Sequence, residues 1–541
     1  MATIWKALLL RRDEPASQSV SKAAAVSAGI CLGFGLLCAA ILVATYYLGA
    51  AAGMADRYSF QFAFHFIPAA ISHITYGHAL DFTAYEAVRE VFYREFASGR
   101  FDAAFQAATA LGAHAQDKGL YFIQNDKGGV LYAVLAFRLF GMAPASLYDL
   151  FFLVLAISAA IFIGAFARSP ARLFLLACLL LAFFVLAVPL QSDVHNVAGF
   201  HGQRALSMLG VVPLLHLLCA AGEERLTPAS LFAVIAQGVI LVFVCFIRSS
   251  NVWAFALLAL VTAFVVLQIR HDAALRGHAR RRRFGAALAP LVVALLCLLA
   301  LNAYKSAAFN PRYFSDFITD RVAWHNAYLS TSLDERLRDV LSAKQPLAVG
   351  DDYVFRSLEN FLAARGRKGE LDAIVARKNS EVPSVYAVSG YDRLVREMYL
   401  TAWTEHPFLM IRHYVYAKPK LMLRELITMT QPAEAASSRN SLGVENPRGY
   451  RPLGLYASLT LLAALALLFL SGAAFRAHEV LSVAALALGT QIPWISVYPF
   501  FYAVPESFLG LTFAFYAAAG LALAYFCARP SQGAPGGRAR S

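Results

Sequence analysis

The chain has 541 residues, 59% of them hydrophobic and only 15% charged, and its mean hydropathy is +0.56. Soluble domains carry roughly 25% charged residues, so the composition excludes a soluble enzyme and indicates an integral membrane protein. The net charge of +13 raises nucleic acid as a partner, but the Arg clusters sit at the ends of apolar runs, where membrane topology accounts for them.

Apolar runs of about 20 residues suit membrane helices and not a β-barrel, whose segments are short and alternating. Candidate spans fall at 24–52, 146–167, 172–190, 205–221, 229–247, 251–268, 285–303, 453–471, 480–498 and 508–527. The first run is too long for a signal peptide and is read as a retained span. Arg11, Arg12 and Lys22 precede it, which places the N-terminus in the cytoplasm. Alternation then puts Arg168, Arg172, the Arg270–Arg283 segment, Arg476 and the C-terminal tail on the cytoplasmic side as well. That scheme holds only if 130–141 does not span, and the segment is expected to be an interfacial helix. The seven cysteines all fall in apolar segments, which argues against a disulfide framework or a Cys-based metal site.

The expected organisation is therefore an all-α polytopic membrane protein with about ten spans. Residues 1–53 form the cytoplasmic N-terminus and first span, 54–145 an outer juxtamembrane loop, and 146–303 spans two to seven. Residues 304–452 form a mostly helical outer region, 453–528 the last three spans, and 529–541 a disordered cytoplasmic tail.

The first outer loop carries the most distinctive pattern. Asp81 stands before a helix with Tyr85, Val88, Phe92 and Phe96 at helical spacing. A Ser98-Gly99 turn follows, then Asp126-Lys127-Gly128-Gly129 and an apolar helix ending RLFG. The glycine pair suits a close backbone approach or a turn with positive φ.

This stretch resembles the first outer loop of the GT-C glycosyltransferases, in the aminoarabinose-transferase and protein O-mannosyltransferase branch. The chain keeps the Asp, the VREVF helix, SGRF and RLFG, with Lys-Gly-Gly where that pattern has Lys-Pro-Pro. The likeness is specific over roughly 75–145, looser over 146–303 and weak beyond. It implies transfer of a sugar from a polyprenyl-phosphate donor to a glycan, lipid or protein acceptor on the extracytoplasmic face; separately, the basic tail and absent organelle signals suit a bacterial inner membrane.

On that resemblance Asp81 is the base or orienting carboxylate, Asp126 a second acid and Lys127 a donor-phosphate ligand. Helix capping by Asp81 and ordinary turn chemistry at 126–127 are the plain alternatives. Arg248 ends an apolar run as CFIRSS and suits a phosphate bidentately, or it snorkels. Arg204 belongs to SDVHNVAGFHGQR, which also brings His195 and His201 to the outer side. Asp193 and His195 are too few for a metal site; no cofactor is identified beyond the polyprenyl-phosphate sugar as donor substrate, and a divalent ion is unsupported. Lys305, Arg312 and His325 are further anion candidates, and Tyr498 begins a turn suited to a sugar or to the interfacial belt.

Late in the chain, TEHPFLMIRHYVYAKPK reads as an amphipathic helix. Its expected solvated face carries His406, Arg412 and Lys418, with Phe408, Ile411 and Tyr414 packed inward. An O-antigen polymerase or ligase, relying on late-loop Arg and His, is the rival enzyme. A transporter is the non-enzyme alternative; it calls for paired halves and mid-membrane charge, which the spans lack.

Overall fold

The computed structural model describes residues 16–51, 66–76, 90–92, 94–95, 100–111, 128–143, 145–187, 206–247, 249–272, 275–308, 323–341, 351–381 and 390–420, and then 459–460, 462–464, 466, 475, 477–489, 513–514, 516–518 and 520–521. Every element among them is helical. In chain order these are α1 (Ala16–Ala51), α2 (Phe66–Tyr76), α3 (Phe101–Ala110), α4 (Gly128–Phe140), α5 (Ala145–Ala165), α6 (Pro170–Ala187), α7 (Val211–Ala221), α8 (Pro228–Ile247) and α9 (Trp253–His271). There follow α10 (Gly277–Ala308), α11 (Ala323–Leu329), α12 (Glu335–Leu341), α13 (Asp351–Ala363), α14 (Lys368–Glu381), α15 (Tyr391–Glu405), α16 (Pro407–Arg412) and α17 (Ala477–Gly489).

Five helices are long and apolar enough to cross a membrane: α1 over Ala28–Leu48, α5, α8, α9, and α10 over Gly277–Ala307. They fall in the spans expected at 24–52, 146–167, 229–247, 251–268 and 285–303. Shorter apolar helices α6 and α7 fall in the expected 172–190 and 205–221, and α17 covers the first part of 480–498, whose remainder lies outside the described residues. The spans expected at 453–471 and 508–527 lie largely outside the described residues.

Buried polar clasps fix the helix directions. Ser158 Oγ of α5 donates to Gln237 Oε1 of α8 at 2.7 Å, and Gln237 Nε2 returns a bond to the Ser158 carbonyl at 2.8 Å. Helix α4 starts against the Phe246–Ile247 peptide at the end of α8. One turn later the Tyr132 hydroxyl reaches the Leu147 carbonyl at the start of α5, at 2.6 Å. The N-terminus of α5 and the C-terminus of α8 therefore share one end of the bundle, and the two helices run antiparallel. Gly141, at φ 89°, closes α4 with its N–H on the Phe137 carbonyl at 3.0 Å, which gives RLFG a helix-terminating role. Because α4 begins at α8 and leads into α5, it lies along that end and does not cross the bundle, as the sequence requires of 130–141. Phe92 packs edge-on to Phe105 and Phe105 to Phe137, tying the VREVF segment and α3 to α4.

The opposite end is joined by Arg172. Its Nε donates to Glu479 Oε1 at 2.8 Å, it also binds Glu223, and its guanidinium lies 4.6 Å from the Phe166 ring centre. These contacts gather the N-termini of α6 and α17 with the C-terminus of α7.

Residues 323–420 form a helical unit with its own core. Tyr391, Leu394, Val395, Met398 and Ala402 of α15 are buried at helical spacing, facing Tyr353, Val354, Leu358 and Leu362 of α13. Asp392 accepts the backbone N–H groups of Trp324 and His325 at 3.0 Å, satisfying the start of α11. Asp334 caps α12 through the Arg336 N–H at 3.2 Å and pairs with Arg412.

Candidate functional site

The candidate site lies at the end of the bundle where α4 meets α8. Three contacts converge there. The first is the close packing of Gly128: a Cβ would fall 2.6 Å from the Phe246 carbonyl oxygen and overlap the Ile247 amide. The second is a bond from Asn251 Nδ2 to Ser207 Oγ at 2.9 Å, with a longer one to the Val244 carbonyl at 3.4 Å. The third is Lys305, in the last turn of α10, whose Nζ lies 4.7 Å above the Phe246 ring centre. A cation over an aromatic face is attracted by the ring's quadrupole, which holds the Lys305 ammonium beside Phe246.

These described residues flank the sequence-derived cations. Gly128 follows Lys127 directly, Ile247 precedes Arg248, and Ser207 is three positions beyond Arg204. Lys127, Arg204 and Arg248 themselves lie outside the described residues, as do Asp81, Asp126, His195, His201, Arg312 and Tyr498. Of the sequence-derived anion candidates, Lys305 and His325 are described with their side chains.

The glycine pair behaves as its sequence context suggests. Gly128 is required by backbone approach, and a Cβ at Gly129 would lie 2.7 Å from the Phe66 ring. Neither is among the glycines with positive φ, so the turn alternative does not apply to them.

Sequence spacing did not single out Asp149, a half-buried carboxylate just past the first turn of α5 at this same end. The Tyr46 hydroxyl donates to its Oδ1 at 2.9 Å, and the Tyr148 hydroxyl donates to the Tyr46 carbonyl at 2.7 Å. A lone Asp after Leu147-Tyr148 carries no spacing signal, so only the fold reveals it.

Two expectations for the late region are corrected. His325 is buried, with Nδ1 2.9 Å from the Tyr391 hydroxyl, so it is a packing residue and not an external anion ligand. The 407–420 helix faces the other way from the sequence reading. Phe408 is 85% exposed and Ile411 49%, whereas Lys418 is 2% exposed. Tyr414 does pack inward, stacked on Trp403 with its hydroxyl 2.5 Å from that of Tyr399. For Lys418 the cause is a π turn at His413–Ala417. It breaks the 3.6-residue period on which the face assignment rests.

No family model matches this chain, and no curated protein or solved structure matches it. Among the described residues no group of three or more His, Cys, Asp or Glu is placed to hold a metal ion.

Proposed function

We propose that the chain is a GT-C-type membrane glycosyltransferase that moves a sugar from a polyprenyl-phosphate donor to a glycan, lipid or protein acceptor. In this reading it has ten spans, both termini are cytoplasmic, and the α4 end of the bundle faces outward from a bacterial inner membrane.

The observation that carries the reading is the convergence of Gly128 on Phe246–Ile247, of Ser207 on Asn251, and of Lys305 on Phe246. Covalent connection allows Lys127, Arg204 and Arg248 to reach the same neighbourhood, since adjacent Cα atoms are about 3.8 Å apart. Four cations around one point suit a phosphodiester whose isoprenoid lies between spans. The orientation draws support from the opposite end, where Arg172 and the Arg280–Arg283 start of α10 carry the excess of basic residues.

In the reaction, an acceptor hydroxyl attacks the anomeric carbon and its proton passes to Asp81, with Asp126 assisting. The bond from that carbon to the phosphate oxygen breaks, and the electron pair leaves on the polyprenyl phosphate, which Arg248, Lys127, Arg204 and Lys305 stabilise. Displacement from the opposite face inverts the anomeric centre. His195, His201 and Tyr498 are further candidates for contact with the substrate. The polymerase or ligase alternative is weakened because Arg412 is paired with Asp334 and His413 is fully buried.

The test is sugar release by the purified chain in vesicles, from a panel of polyprenyl-phosphate-linked hexoses and pentoses. Asp81→Asn is expected to lower turnover by about 100-fold or more. Unchanged turnover would remove Asp81 from the mechanism.

A further inference from the structure

The helix ending the 323–420 unit is inverted relative to what water favours. Phe408, Ile411 and Val415 point outward, with Val415 72% exposed, while Met410, His413 and Lys418 point inward. Apolar groups left in water and a cation taken out of it are both unfavourable, so this arrangement calls for a non-aqueous partner.

The inward placement of Lys418 is built in by the π turn, which follows Phe408 and Ile411 in the chain. In an unbroken α-helix at 3.6 residues per turn, Ile411 and Lys418 project within about 20° of one another. The π turn at His413–Ala417 separates them. Lys418 swings inward, its Nζ 4.3 Å from the Tyr414 ring centre, while Val415 remains outside with Ile411. Arg412 then anchors the helix through Asp334.

We propose that the Phe408–Ile411–Val415 face rests on the headgroup boundary of the bilayer that holds the chain's own spans, against anionic lipid. Charge supports that partner over a protein one. Residues 406–420 contain no Asp or Glu, whereas α13, α14 and α15 all carry acids. The exposed Lys420 lies 5.5 Å from the Tyr416 ring centre, which sets a cation and an aromatic beside the apolar stripe, as interfacial helices do. The unit is also tethered close to lipid. The apolar helix α10 ends at Ala308 and α11 begins at Ala323, a connection that reaches at most roughly 50 Å when fully extended. This proposal does not depend on the transferase reading.

The full-length chain carrying Val415→Cys or Phe408→Cys is nitroxide-labelled and reconstituted in vesicles of phosphatidylethanolamine and phosphatidylglycerol. Asp372→Cys, on the exposed side of α14, provides the water-facing reference. The unsubstituted chain, whose described cysteines lie in apolar helices, gives the background. At 408 and 415 oxygen is expected to relax the label more than a water-soluble nickel chelate does, with the reverse at 372. Replacing phosphatidylglycerol by phosphatidylcholine is expected to reduce that preference at least twofold. Four results would overturn the proposal: nickel access equal to that at 372, exclusion of both reagents by covering protein, dipolar broadening from a second copy, or a preference indifferent to lipid charge.

Discussion

Gly128 packs directly on Phe246: a side chain at this glycine would meet the Phe246 carbonyl oxygen at 2.6 Å. The obstacle is backbone within a helix end and cannot rotate away. Gly128→Ala is therefore expected to cost about 1–3 kcal/mol or more, as overpacking does, and to separate α4 from α8. Gly164→Ala, with nothing within 4 Å of the added carbon, is the matched control in α5 and is expected to be neutral or up to about 1 kcal/mol stabilising. Thermal unfolding in detergent micelles checks both. Equal midpoints for the two variants would mean that the close approach does not hold the site end together.

Removal of Arg172 leaves the nearly inaccessible Glu479 without its cation. Its side chain is 3% exposed and bonded to Arg172 at 2.8 Å. Arg172→Met is expected to destabilise by roughly 3–5 kcal/mol, and Arg172→Met with Glu479→Met to recover much of that loss, because an apolar pair leaves no buried charge. A double-mutant cycle on unfolding midpoints measures the recovery. Simple additivity would show that the contact contributes nothing.

The late unit is expected to lose stability in acid. Burial, with the positive charges of Lys418 and Arg412 alongside, pushes the His413 pKa down from 6.5 to about 2. Between those values the unfolded chain binds more protons than the folded one, so stability rises with pH across that window and is lost as pH falls through it. Burial also lowers the Lys418 pKa well below 10.5. That effect has the same sign and acts from pH 10.5 downward. Protease resistance of residues 323–420 is expected to drop on acidification below pH 6.5, and His413→Phe to flatten the drop. Greater resistance at pH 5 than at pH 7 in the wild type would contradict the assignment.

Features governed by length and local chemistry were readable from the sequence. The apolar run of α5, with Asp149 its one charged residue, specifies a bilayer-length helix on composition alone. The Gly of RLFG terminates α4, and the Gly128-Gly129 pair marks a close approach, since each uses a property that only glycine has. Features that depend on distant partners were not readable. Arg172 looks like a topological marker, yet it pairs with Glu479 across 307 positions, and no local pattern encodes that. The inward turn of Lys418 also escaped, because an amphipathicity argument assumes one constant period and the π turn changes it.

The most direct measurement is equilibrium binding of polyprenyl monophosphate to the purified chain in nanodiscs. Wild type is compared with Arg248→Gln, Lys305→Gln and, at the opposite end of α10, Arg282→Gln. Saturable binding is expected in the wild type and in Arg282→Gln. The two variants at the α4 end are expected to bind at least tenfold more weakly, a loss of about 1.4 kcal/mol or more. Equal affinity in all four proteins would contradict a lipid-phosphate site where α4, α8 and α10 meet.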